Sequence, residues 1–117
     1  MATIAHPDVA DYYAAIQIQT ASKRRAVCML HDRCVQFISA AIDKQDERRV
    51  LRIKAQNILS QLQMSLIMND QVSESLFLLY DYCYVLLERG TVEDLTNAGK
   101  VLSVLRDTFK YLARRPR

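Results

Sequence analysis

Gly90-Thr91-Val92-Glu93-Asp94-Leu95-Thr96-Asn97-Ala98-Gly99-Lys100-Val101-Leu102-Ser103-Val104-Leu105-Arg106-Asp107-Thr108-Phe109-Lys110-Tyr111-Leu112 is the stretch that decides the fold. Leu95, Ala98, Leu102, Leu105, Phe109 and Leu112 follow one another at spacings of 3-4-3-4-3, which lines up one apolar stripe at 3.6 residues per turn. Thr91 with an acid three positions on, Asp94, has the pattern of a capping box. Gly90 is the residue that ends a preceding helix in the left-handed conformation.

The same periodicity extends backwards. Residues 71–89 predict a helix that Gly90 stops. Residues 47–67 carry Leu51, Ala55, Ile58, Leu62 and Leu66 on one face, with Asp46 as the expected cap and Asn69-Asp70 as the punctuation after it. Residues 23–44 repeat Val27, Leu30, Cys34, Phe37, Ile38 and Ala41 at three- and four-residue steps, with Ser22 the expected cap. Only two glycines and two prolines occur in 117 residues, too few turn residues for a β-sandwich or barrel of this length.

Short connections force consecutive helices to lie antiparallel. The expected fold is therefore all-α, an antiparallel up-down-up-down four-helix bundle preceded by a short N-terminal helix or arm. A single domain spans 1–117, with the arm at 1–19, the bundle at 22–113 and a basic tail at 114–117. Tyr12, Tyr13, Ile16 and Ile18 make the arm too apolar for a free tail, and it is expected to pack in an exposed groove of the bundle.

Charge and motifs exclude more than they suggest. The net charge of +3 comes largely from Arg106, Lys110, Arg114, Arg115 and Arg117, which oppose a helix dipole. With no groove-reading motif, nucleic-acid binding is not expected. The start of the chain has no basic-then-apolar leader, and the most apolar run, 76–87, is too short for a bilayer and carries Asp81. A cytoplasmic location without membrane insertion is expected. Cys28, Cys34 and Cys83 form no CxxC pair, so they read as small buried hydrophobes rather than metal ligands.

His6-Pro7-Asp8 matches the tripeptide of J-domain cochaperones but lacks the basic helix before it. His31 beside Cys28 and Cys34 falls on the core stripe, out of reach of a substrate. No phosphate loop, HExxH or nucleophile elbow is present. The sequence thus predicts no enzyme, no cofactor and no metal.

What stands out is the helix at 71–89. Leu76, Leu79, Tyr80, Cys83 and Leu87 share the core arc at 100° per residue, yet Leu78, Tyr82 and Val85 project away from it. A helix apolar nearly all round is buried on all sides or lends its outer face to a partner, and a bundle this small cannot enclose one of its own helices. Ile53, Met64 and Ile67 on the back of the preceding helix, and Val35 and Ile42 beside the first core stripe, extend the candidate surface. One use of such a face is a homodimeric structural or regulatory bundle; another is capture of a different polypeptide.

Several short stretches, in order and spacing, favour the second and leave the first as the alternative. Thr20-Ala21-Ser22, Met29-Leu30, Phe37, Ala41-Ile42, Lys54-Ala55-Gln56-Asn57-Ile58-Leu59, Leu79-Tyr80-Asp81-Tyr82 and Leu105-Arg106-Asp107 together resemble the flagellar export chaperone family FliS over about residues 13–112. Lys23 stands where many members have proline. The resemblance implies an antiparallel bundle that binds the disordered C-terminal region of flagellin in the cytoplasm and prevents premature polymerisation before secretion. It implies a client wrapped around the outside, with the tyrosine segment matched by Tyr13 and Ile18 close to it. The partner-binding residues expected are Tyr13, Ile18, Val35, Ile42, Leu78, Tyr82 and Val85. The flagellar export apparatus or a cochaperone are the further partners it allows, on a monomer or weak dimer.

Overall fold

A computed structural model describes residues 21–66, 68 and 70–114, with the side chains of 21–24 and 112–114 left aside. Among the described residues four helices follow one another: α1 (Ala21–Asp43), α2 (Arg48–Met64), α3 (Gln71–Arg89) and α4 (Val92–Arg114), with a 3-10 turn at Gln45–Glu47 between the first two. Each helix packs on its neighbours in sequence, and α4 returns to pack on α1. The ring closes as a four-helix bundle, with α1 diagonal to α3. No strand occurs among the described residues.

The ends of the helices show why they stop where they do. The Asp70 carboxylate accepts the Ser73 N–H at 2.8 Å, and Ser73 Oγ reaches back to the Asp70 backbone, a reciprocal capping box that starts α3. Gly90 ends α3 at φ 75°, and its N–H donates to the Leu86 carbonyl at 3.0 Å. The Asp94 N–H then donates to Thr91 Oγ1 at 3.0 Å, opening α4.

Two expected caps are corrected. Helix α1 begins at Ala21, so Ser22 lies inside it. Asp46 sits in the 3-10 turn, and the N-cap position of α2 is Glu47, whose side chain caps nothing. This turn is held from the other side. Arg48 Nε and Nη2 donate to the Ala41 and Ile42 carbonyls at 2.7 and 3.0 Å, tying the end of α1 to the start of α2. Helix α2 also ends earlier than expected, at Met64, where the Ser65 hydroxyl donates to the Leu62 carbonyl.

The core is built from Cys34, Ile38 and Ala41 of α1; Leu51, Ala55, Ile58, Leu59 and Leu62 of α2; Tyr80, Cys83, Leu86 and Leu87 of α3; and Leu95, Ala98, Leu102 and Leu105 of α4. Ala41, Ala55 and Ala98 are fully covered, and such small residues let the helices approach closely. One residue expected in the core arc of α3 is corrected: Leu79 is 38% exposed, while Leu86, one heptad on and on the same side of the helix, is buried. Leu79 and Leu86 stand about 20° apart at the edge of the arc Ser73–Tyr80–Cys83–Leu87, so the difference lies along the helix: Cys83, Leu86 and Leu87 in its C-terminal half are buried, while Leu78 and Leu79 before them are exposed.

Most buried polar groups have partners, while Arg52 Nε and Asp70 Oδ2 are buried without one among the described residues. Gln56, buried, donates to the Tyr84 carbonyl and to Glu88 Oε1 at 3.2 and 3.0 Å. Arg52 Nη1 donates to the Leu87 and Glu88 carbonyls at 2.7 and 3.1 Å. Both join α2 to the C-terminal half of α3.

Candidate functional site

His31 lies fully inside the bundle, where the sequence placed it, on the core side of α1. Its ring is held from three helices. A carbonyl can only accept, so the 3.0 Å contact with Val27 O puts the proton on Nδ1. The bare Nε2 then accepts from the Tyr80 hydroxyl of α3 at 2.9 Å. Phe109 of α4 stacks on the ring, with centroids 4.9 Å apart.

Burial pushes the His31 pKa down to about 4, against the weaker pull of the Val27 carbonyl and Asp32. Burial likewise raises the Cys34 and Cys83 thiols to about 12, with Cys83 adding to the effect at Cys34. Thiols held protonated and an imidazole with both nitrogens engaged are scaffold, not nucleophile and base. Among the described residues no group of His, Cys, Asp and Glu is arranged to hold a metal ion, and no helix is long and apolar enough to cross a membrane.

The apolar surface expected on α3 is there. Leu78 is 65% exposed, Tyr82 50% and Val85 42%. Phe77 and Tyr84 are exposed beside them, as is Ile53 on α2. The sequence reading named neither Phe77 nor Tyr84, which fall on the helical wheel between the core arc and the outward residues.

Val35 and Ile42 belong to a different place. Both are half-buried against the core and line an open groove of about 600 Å³ between α1 and α4, together with Ile38, Gly99, Ser103 and Val104. A Cβ built on Gly99 would meet Ile38 Cγ2 at 3.5 Å, so the missing side chain there helps form the trough. The α4 wall was also missed. Its signal was present: Gly99 and Ser103 are small residues four apart beside the core stripe. Tyr13 and Ile18, and the arm that carries them, lie outside the described residues.

The expected surface therefore divides in two, one strip on the outer face of α3 and one groove at the α1–α4 seam. The shortest path between them crosses α4. The family model for the flagellar protein FliS matches residues 6–116 of this chain.

The chain belongs to the FliS family.

The flagellar secretion chaperone FliS of Bacillus subtilis (strain 168) is 33% identical over 107 residues, which cover 84% of this chain and 80% of that one. FliS is a family of flagellar secretion chaperones. The resemblance read from Lys54–Leu59, Leu79–Tyr82 and Leu105–Asp107 is thereby confirmed at the level of the family.

Proposed function

We propose that this chain is a cytoplasmic export chaperone that binds the disordered C-terminal segment of a flagellin and keeps it from polymerising before secretion. The observation that carries this reading is the division of the apolar surface between the α3 strip (Leu78, Tyr82, Val85) and the α1–α4 groove (Val35, Ile42). A compact partner would cover one patch. An extended segment that folds as it binds can cover both, at the usual cost in ordering. Tyr13 and Ile18 are proposed to adjoin this surface, as the family resemblance implies.

Calorimetric titration with the C-terminal segment of the flagellin from the same organism tests the proposal. One segment should bind per chain with a negative heat-capacity change, the mark of buried apolar area. Absence of binding by a folded, monomeric chain refutes it. A stable dimer that excludes the segment would favour instead the homodimeric bundle that uses the same faces.

A further inference from the structure

Asp81 stands in the middle of the exposed apolar strip of α3. Its neighbours at three and four residues on either side are Phe77, Leu78, Tyr84 and Val85, and all four are exposed. On a helix those positions surround a side chain at about 5–6 Å between Cβ atoms. Glu74 and Glu88, seven residues to either side, continue the same row. Anything that covers Leu78 and Val85 must therefore also cover Asp81.

Among the described residues nothing neutralises this row. Among the described residues the ion pairs are those of Asp32 and Asp107 with Arg106 and of Asp32 with Lys110, and neither Glu74 nor Asp81 faces a cation. Helix α3 carries three acids against the single Arg89 in a chain whose net charge is +3. The helix dipole accounts for Glu74 in the first turn, but not for Asp81 at mid-helix, and it opposes Glu88 in the last. An apolar partner laid over this strip would strip water from Asp81 with nothing in return, an unfavourable burial of charge. A partner that brings a cation turns the same burial into a charge-assisted hydrogen bond.

We infer that the α3 strip takes a helical stretch of the client in which Lys or Arg, placed beside its apolar row, pairs with Asp81. This deepens the proposed function and rests on it: the acid row selects which stretch of the client lies on α3 and in which register. The α1–α4 groove, lined on its polar side by serine, threonine and Lys100, makes no such demand.

The test is calorimetric binding of the flagellin C-terminal segment to wild type, to Asp81→Asn and to Glu47→Gln, an exposed acid on the α1–α2 turn, each at about 0.1 M and about 1 M sodium chloride. That change shortens the screening length from about 10 Å to about 3 Å. Wild type and Glu47→Gln should lose about tenfold in affinity at high salt. Asp81→Asn should start about tenfold weaker and lose little more. In addition, Asp81→Lys should lose binding of the native segment and regain it when the pairing cation of the segment is changed to Glu. Equal affinities and equal salt dependence for wild type and Asp81→Asn, or tighter binding by Asp81→Asn, would overturn the inference and leave the client reading standing. No binding by wild type at either salt would overturn both.

Discussion

The Tyr80 hydroxyl donates to Nε2 of His31 at 2.9 Å, joining two helices that sit diagonally across the bundle. Residues of α1 and α3 that are 49 positions apart are thus locked in one register by a single polar contact inside an apolar core. A buried hydrogen bond of this kind contributes about 1 kcal/mol net, but it costs more to leave half-made.

The lowered His31 pKa makes that contact sensitive to acid. The unfolded chain takes up a proton at 6.5 and the folded one only at about 4. Between these values the unfolded state holds more protons, so stability is complete above pH 6.5 and falls as pH drops towards 4. The full separation corresponds to about 3 kcal/mol, and about 2 kcal/mol should be gone by pH 5. Urea melts at pH 7 and pH 5 measure this. His31→Leu should flatten most of the slope; an unchanged slope would assign it to other groups.

Arg52 and Gly90 make a second linked pair. A Cβ on Gly90 would come 2.7 Å from Arg52 Nη1, at a backbone φ of 75° that disfavours side chains. Gly90→Ala should therefore cost about 1–2 kcal/mol from the backbone alone, and more from displacing Arg52 off the Leu87 and Glu88 carbonyls. In an Arg52→Ala background the second part should vanish. A double-mutant cycle with no coupling energy would contradict the geometry.

The uneven packing along α3 is open to a direct check. Leu86→Ala, in the core, should destabilise by about 2–5 kcal/mol. Leu79→Ala, at the exposed margin, should cost less than half as much. Leu102→Ala on α4 belongs with the first and Lys100→Ala, within about 0.5 kcal/mol of wild type, with the second. Equal losses for Leu79→Ala and Leu86→Ala would show the two positions to be equally packed and contradict the exposure of Leu79.

Binding should respond to changes that leave folding alone. Val85→Glu on α3 and Val104→Glu at the rim of the groove each put a charge on an exposed apolar residue away from the core. If the client spans both surfaces, each should weaken binding of the flagellin segment by more than about 2 kcal/mol, some thirtyfold, with nearly unchanged melting. A loss confined to one of the two would restrict the client to that surface.

The amino-acid sequence determined the helices, because their signals are local. Apolar spacing in 90–112, the acid three after Thr91, and Gly90 where a left-handed residue is required each act within a turn or two of chain. The sequence also showed that α3 has more apolar surface than a small bundle can cover, since that is a matter of angles on one helix. It did not show that Gln56, Arg52 and Arg48 would spend their donors on carbonyls of neighbouring helices, or that His31 would meet Tyr80. Nor could it separate Val35 and Ile42, in a groove whose other wall comes from α4, from Leu78, Tyr82 and Val85 on an open face. Those facts depend on how closely each helix approaches the next, and that distance is set by the joint packing of all four, which no single helix encodes.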